Sequence, residues 1–226
     1  MRIHRSLLVT AAACAFLPSV LAAQSKRPSV GILLGTNIAT ISDADQGIAD
    51  VSGANFKKKH RIGLNVGAFV KIPLSSMLSL QPELHYAQNG VKIEGNSGTI
   101  DNIDLALDYI EVPVLLRLDL GNSNSSIHPL LLAGGSYASR VRCKLTASAG
   151  SSSLSQNCDA DNGSTDPFKK SDYGVVGGAG LEMKSGGHSI SLQVRYTYGL
   201  QDIAKTETPT TKPKNSAIGI LLGFGL

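Results

Sequence analysis

The segment from Asp108 to Leu120 constrains the fold more than any other part of this chain, because it alternates strictly between two kinds of side chain. Successive residues of an extended strand point to opposite faces. One face is purely aliphatic: Ile110, Val112, Val114, Leu116, Leu118 and Leu120. The opposite face carries the charges: Tyr109, Glu111, Pro113, Leu115, Arg117 and Asp119. A strand of a water-soluble sandwich seldom needs so long an apolar face opposite an ionised Glu and Arg, whereas lipid outside and a polar interior explain both faces.

The first residues have the pattern of a cleaved export signal. Arg2, His4 and Arg5 precede an apolar run from Leu7 to Leu17, and small residues follow at Ala22 and Ala23. A membrane anchor is the alternative, but the run is interrupted by Pro18 and is shorter than the roughly 20 residues of a spanning helix. A lipoprotein signal at Cys14 is disfavoured because Ala11 stands where such signals usually carry Leu. We therefore predict a signal peptide over residues 1–23 and one domain over 24–226.

Strand-length patterns predict eight strands, at about Ser29–Ile41, Arg61–Ile72, Leu78–Tyr86, Asp108–Leu120, Ile127–Arg142, Asp172–Lys184, Ile190–Tyr198 and Ser216–Leu226. The segments between them alternate between long (42–58, 88–104, 143–171, 201–214) and short (73–77, 121–126, 185–187). Outer-membrane barrels have long external loops and short periplasmic turns, with both termini on the turn side. The sequence therefore predicts an all-β fold, an eight-stranded antiparallel up-and-down transmembrane β-barrel.

Two cysteines remain after removal of the signal, Cys143 and Cys158, and they bracket a Ser-rich segment. In an oxidising compartment this spacing predicts a disulfide. Zinc is the rival interpretation, but two cysteines without a paired His offer too few ligands. The six tyrosines fall toward the loop ends of the predicted strands and indicate an outer interfacial girdle, although Tyr109 points inward by parity.

Basic residues at Lys57, Lys58, Lys59, His60 and Arg61 contribute to a net charge of +4. Such a run can bind nucleic acid, but in an exported protein it is more simply a rim cluster facing lipopolysaccharide or solvent. We expect lipid and lipopolysaccharide, the barrel-assembly machinery and an envelope protein as partners, and no nucleic acid.

Parity places eight ionisable residues in the barrel lumen: Arg61, Lys71, Glu83, His85, Glu111, Arg117, Glu182 and Arg195. An eight-stranded barrel is just wide enough to be filled by side chains. Unpaired charges would be costly there, so we predict an ion-pair network that plugs the barrel, formed by Arg61, Glu83, Glu111, Arg117 and Arg195. A catalytic role for Glu83 and Glu111 with His85 is possible in principle. No nucleophile motif, metal spacing or phosphate loop accompanies them, and no cofactor is expected.

Several strand motifs resemble the PorT-type outer-membrane β-barrel family of Bacteroidetes and related phyla. They are the strand from Tyr109 to Arg117, the Gln81-Pro82-Glu83-Leu84 segment and the glycine-rich Gly177–Glu182 segment, together with the signal peptide. The resemblance implies a barrel fold and an outer-membrane location, and it implies no activity. The chain departs from the usual terminal aromatic residue, since Leu226 is last and Phe224 lies two positions earlier.

Two classes of function are consistent with these features. The first is a non-enzymatic envelope protein whose barrel anchors surface loops for adhesion, partner binding or envelope maintenance. The second is a small outer-membrane enzyme or a secretion or transport accessory. A soluble, lipocalin-like carrier is a third reading, but it would require the aliphatic face inside and the charges outside.

Overall fold

The protein folds into nine β-strands in the computed structural model, which describes residues 27–42, 56–95, 101–121, 125–158, 168–204 and 212–226. In chain order the strands are β1 (Ser29–Ile41), β2 (Phe56–Pro73), β3 (Leu78–Gly95), β4 (Asn102–Asp119), β5 (Ile127–Ala149), β6 (Ser152–Asn157), β7 (Ser171–Ser185), β8 (His188–Gly199) and β9 (Asn215–Gly225). No helix in these residues has the length and hydropathy needed to cross a membrane. Residues 1–26, which include the predicted signal peptide, lie outside the described residues.

Eight of the strands form a closed antiparallel barrel, which confirms the predicted fold. Each barrel strand pairs with its neighbours in chain order, with β7 following β5, and β1 pairs with β9 from Gly31↔Gly225 to Ile41↔Asn215. The ninth strand, β6, pairs with β5 alone. Closure gives every barrel strand two hydrogen-bonded neighbours, which satisfies the backbone without water.

The two faces of β4 are those that the alternation predicts. Glu111, Leu115 and Arg117 are buried inside the barrel, whereas Val112 and Val114 are exposed on its outside. The same outward exposure of large aliphatic side chains recurs on the other barrel strands, for example at Ile32, Leu34, Leu64, Val66, Leu84, Leu181, Leu192, Val194, Ile220 and Leu222. A continuous apolar outer surface around a polar interior is the arrangement that hydrocarbon requires.

Glycines on the inner face of β7 make room for the large polar side chains of β8. A Cβ atom at Gly178 would lie 2.9 Å from Cγ of Arg195, and one at Gly180 would lie 2.4 Å from the carbonyl oxygen of Leu192 and 3.0 Å from Cγ of Gln193. Both distances are shorter than packed carbon atoms tolerate. The glycine-rich sequence of β7 therefore permits a full-size Arg and Gln inside a narrow barrel.

One side of the barrel rises well above the other at the loop end, which the sequence did not predict. There the ladders continue through Phe56–His60 of β2, Val91–Gly95 of β3, Asn102–Asp108 of β4, Arg142–Ala149 of β5 and all of β6. We call this five-stranded sheet the outer wall. The sequence predicts polar loops over most of these residues, and that prediction is wrong, because pairing with neighbouring strands stabilises the polar segments as sheet.

A disulfide and an apolar cluster fix the outer wall over the barrel mouth. Cys143 and Cys158 are joined as predicted, which ties the end of β6 to β5. Buried Cys143 packs with Ile41, Val91, Ile93, Leu107, Tyr109 and Ile203 in one cluster. This apolar cap separates the polar lumen below from solvent above.

Candidate functional site

The middle of the lumen is organised around a buried ion pair between β3 and β8. Arg195 donates from Nη1 to Oε2 of Glu83 at 2.6 Å and from Nη2 to Oε1 at 2.9 Å. Gln81 donates to Glu83 at 2.6 Å, and Gln193 accepts from Arg195 at 2.6 and 3.1 Å. Two-pronged pairing with supporting amides is the arrangement that offsets the desolvation of both charges.

A chain of hydrogen bonds runs from Glu83 toward the loop end of the lumen. His85 contacts Oε2 of Glu83 through Nε2 and Oδ1 of Asn65 through Nδ1, each at 2.7 Å. Asn65 donates to Asn37, and Asn37 donates to Asn89, both at 2.9 Å. Both ring nitrogens of His85 face oxygen atoms, so neither is open to a substrate.

A second ionic layer lies at the periplasmic end, where the short turns are. Arg117 contacts Glu182 at 2.6 Å through Nη2 and donates to Asp119 at 2.7 Å through Nε. Lys71 lies 3.6 Å from Glu182 and 3.7 Å from Asp119. A 3.3 Å hydrogen bond from Arg117 to Gln81 links this layer to the Glu83 and Arg195 pair.

The structure brings together some of the five residues predicted for the lumen network and separates others. Glu83, Arg195 and Arg117 belong to one connected set through Gln81. Glu111 is buried in the lumen but is hydrogen-bonded to Ser136, and no ion pair of the described residues includes it. It lines both lumen cavities together with Asn89 and is therefore part of the polar filling of the barrel.

The structure does not bring Arg61 to the other four residues predicted for the lumen network. Between the pairs His60↔Val91 and Asn65↔Ala87, β2 contains one more residue than β3, so simple alternation fails across this bulge. The Arg61 side chain crosses Gly90 and donates to Asp104 at 3.1 Å and to the carbonyl oxygen of Asn89 at 3.0 Å. Its guanidinium therefore reaches Asp104 of the outer wall, although its backbone pairs with the buried Ala39 of β1.

Polar residues that were not predicted as members of the ion-pair network complete the lumen. Asp119, Gln81 and Gln193 bridge the charged groups below, while Tyr109, Asp172 and Asn215 form a separate group near the mouth. Asn215 donates to the Tyr109 hydroxyl at 3.0 Å and to Asp172 at 2.8 Å. Parity alone would have placed several of these side chains inside, but their partners come from strands distant in sequence.

The free space in the lumen is small. Two adjoining cavities, both lined by Asn89 and Glu111, have a volume of about 30 Å³ each. Each can hold on the order of one water molecule. A larger recess of about 380 Å³ opens at the periplasmic end beside Lys71, Lys184 and His188. Within the described residues, side chains thus fill the barrel between its two ends.

The outward face of the outer wall carries a second charged cluster, and most of its side chains are exposed, whereas the lumen charges are buried. Lys59 pairs with Glu94 at 2.8 Å, Lys92 lies 3.8 Å from Asp104, and Arg142 lies 3.6 Å from Asp108. These residues share a face because Lys59, Lys92 and Asp104 are register partners across β2, β3 and β4, as are Asp108 and Arg142 across β4 and β5.

The outer rim on the opposite side of the barrel is low and aromatic. Tyr137, Tyr173, Tyr196 and Tyr198 are exposed on its outer surface, and the rings of Tyr137 and Tyr173 lie 5.3 Å apart. Tyr109 is buried and points inward, as its parity predicts. Exposed tyrosines at one level of a barrel are typical of the membrane interface.

Comparisons with known proteins found several solved structures that are similar to this chain. Solved structures with a similar fold include Ail, the attachment invasion locus protein of Yersinia pestis, crystallised with the heparin analogue sucrose octasulfate (15% identity, 89% of this chain and 100% of that one, TM-score 0.41). Neisserial surface protein A (10% identity, 88% and 98%, TM-score 0.44) and OprG from Pseudomonas aeruginosa (14% identity, 88% and 94%, TM-score 0.43) are also similar. No curated protein matches the sequence.

A family model described as the outer membrane protein beta-barrel domain matches residues 22–205, which is most of the chain. With a closed eight-stranded barrel, an aliphatic outer surface and a polar interior, the chain belongs to this family of outer-membrane β-barrel proteins.

Proposed function

We propose that this protein is a non-enzymatic outer-membrane anchor whose outer wall presents a binding surface for an envelope or extracellular protein partner. The observation that carries the proposal is the wall itself. It continues the barrel ladders by roughly 20 Å along the strands on one side, at a spacing of about 3.3 Å per residue. A disulfide holds its last strand, so a surface feature is kept rigid outside the membrane.

The inner face of the wall and its last strand have the chemistry of a protein contact. Leu105, Leu145 and Leu154 are partly or largely exposed on that face, and Leu154 is 73% exposed. β6 pairs with β5 along one edge, and no described strand pairs with its other edge. An apolar surface beside an open strand edge can add a partner strand.

The filled lumen argues against conduction or catalysis as the main role. Arg195 is paired with Glu83, and Arg117 with Glu182 and Asp119, through short contacts. The two lumen cavities are of single-water size. We therefore expect no stable ion conductance in planar lipid bilayers. An enzyme would need an accessible reactive group, and Glu83 and His85 are already engaged with each other.

We also propose a route by which the protein reaches the outer membrane. We expect cleavage near residue 23 during export, insertion by the barrel-assembly machinery using Phe224 near the end of β9, and a PorT-type membership within the broader family. Mass spectrometry of the mature protein should begin at or near Gln24.

Photo-crosslinking in cells tests the proposed function. A photoreactive amino acid at Leu154 of the wall should capture a protein partner, whereas the same residue at Ser185, exposed in a periplasmic turn, should not capture that partner. The proposal fails if neither site captures protein, or if both capture the same species. Steady channels in planar bilayers would contradict the plugged barrel.

A further inference from the structure

We propose that the outward face of the outer wall binds a phosphate group of an outer-leaflet glycolipid in a trough between Arg61 and Lys144. This inference concerns the face that looks toward the membrane lipids, and it stands whether or not the wall's inner face binds a protein. Its basis is a group of four cations around the small residues Gly90 and Ala106, at the upper edge of the exposed apolar surface. The cations are Arg61, Lys92, Arg142 and Lys144.

Register defines the trough. Lys144 of β5 lies opposite Ala106 of β4, which lies opposite Gly90 of β3, and the Arg61 side chain from β2 covers Gly90. Arg142 is the next outward residue of β5 toward the membrane, and Lys92 is the next of β3 away from it. Strands about 4.8 Å apart place Arg61 and Lys144 roughly 14 Å apart at their backbones, and their long side chains can approach a shared anion.

The charges around the trough leave an excess of positive charge. Six cations share this outward face, Lys57, Lys59, Arg61, Lys92, Arg142 and Lys144, against three carboxylates, Glu94, Asp104 and Asp108. Asp108 is nearly fully buried and accepts a 2.7 Å hydrogen bond from the Tyr86 hydroxyl. Asp104 is held between Arg61 and Lys92. Among the described residues no carboxylate lies within ion-pair distance of Lys144.

The height of the trough matches the phosphate layer of a membrane. The exposed apolar residues Ile62 and Val141 lie on the membrane side of the trough, next to Arg61 and Arg142 in the chain. Arg142 is one outward step above the exposed Ile110, and Lys144 is two, which is roughly 7 and 13 Å along the strands. A strand tilt of about 40° makes these heights about 5 and 10 Å, so Arg142 lies within the polar layer and Lys144 lies at its outer edge. The polar layer of a bilayer extends roughly 5–8 Å beyond the hydrocarbon on each side. A lipid-linked phosphate therefore meets this face without leaving the membrane.

The opposite rim lacks this arrangement. There the outward residues at the same level are tyrosines, and the described cations nearby are Lys169, Lys170, Lys212 and Lys214, the last of which lies 5.5 Å from the centre of the Tyr198 ring. The two sides thus give a matched comparison in one molecule. If positive charge alone attracted the lipid, the cations of either rim would contribute to binding. A phosphate site in the trough depends on the cations of the outer wall.

The test measures binding of purified lipid A to the full mature protein in detergent micelles by native mass spectrometry. Diphosphoryl lipid A should bind, and lipid A stripped of phosphate should bind at least about tenfold more weakly, because charge-assisted hydrogen bonds are lost. The double variant R142Q/K144Q should weaken binding of diphosphoryl lipid A about tenfold. The matched double variant K212Q/K214Q removes the same charge and should change it less than twofold.

The double variant can disturb Asp108, because it removes Arg142, so Lys144→Gln is also measured alone. This single variant should weaken binding of diphosphoryl lipid A about threefold. Folding of each variant is checked by the shift in gel mobility on heating. Equal losses in the two double variants, equal binding of the phosphate-free lipid, or no loss in Lys144→Gln would overturn the proposal. Capture of a protein at Leu154 should be unaffected, so failure here is distinguishable from failure of the proposed function.

Discussion

Two ion pairs of similar geometry lie in very different surroundings in this molecule. In the lumen, Arg195 meets Glu83 at 2.6 Å with side chains that are 6% and 0% exposed. On the outer wall, Lys59 meets Glu94 at 2.8 Å with side chains that are 48% and 43% exposed. Distance alone would rank them as equals. The cost of losing one partner differs between the two pairs, because a buried charge that loses its partner has no water to take the partner's place.

The comparison explains how charges serve opposite purposes in one chain. The buried pairs fill a narrow barrel and hold β3 to β8 across the lumen. The exposed pairs add little stability and leave their charges available to ligands from outside. Charge in the lumen is thus structural, and charge on the wall is a surface property.

Breaking the buried pair should have the largest effect. Glu83→Ala leaves Arg195 uncompensated, and we expect a loss of about 3–5 kcal/mol in the free energy of unfolding. Urea titration of the protein folded in lipid vesicles measures it. The double variant with Arg195→Ala should recover part of the loss, and a single variant as stable as the parent would mean that water reaches the pair.

A charge placed in the apolar belt should rank next. Val114 is 47% exposed to lipid on β4, and Val114→Arg should cost about 2–4 kcal/mol if it lies near the midplane. Leu154→Arg is the matched control, because that side chain is equally apolar but lies on the wall in water, where a change within about 0.5 kcal/mol is expected. Equal damage at both sites would show that the wall is not above the membrane.

Opening the disulfide should affect the wall and spare the barrel. Cys143 and Cys158 are separated by 15 residues, so the entropy model gives up to about 3 kcal/mol of stabilisation for the closed segment. In Cys143→Ser/Cys158→Ser, amide hydrogen exchange should speed up in β6 and stay slow at Gln193 in β8. Faster exchange at both would mean that the disulfide supports the whole barrel.

Removing the exposed pair should have the smallest effect. Lys59→Ala should change the free energy of unfolding by about 0.2–1 kcal/mol at low salt and by less at high salt, since both side chains are solvated and screened. Urea titration at two salt concentrations measures this. A loss comparable to that of Glu83→Ala would erase the distinction between the two regions.

The sequence alone determined the membrane-level barrel. Alternation on β4 and β8 predicted which side chains face lipid, because hydrocarbon outside and a tight interior leave each position one acceptable class of residue. The alternating lengths of connections predicted the closed antiparallel order. The spacing of Cys143 and Cys158 in an exported chain predicted their disulfide.

Only the tertiary structure decided the pairing inside and the shape above. Parity placed Glu83, Glu111 and Arg117 in the lumen, but partners came from strands far away in sequence, so Arg117 binds Glu182 and Glu111 binds Ser136. Above the membrane, both faces of a strand can be exposed to water. The polar segments that form the wall therefore carry no strong alternation of apolar and polar residues. A single extra residue in β2 relative to β3 lies next to Arg61, whose guanidinium contacts Asp104 of the wall and not the other charges predicted for the lumen. Such register changes depend on the neighbouring strand, which local sequence does not specify.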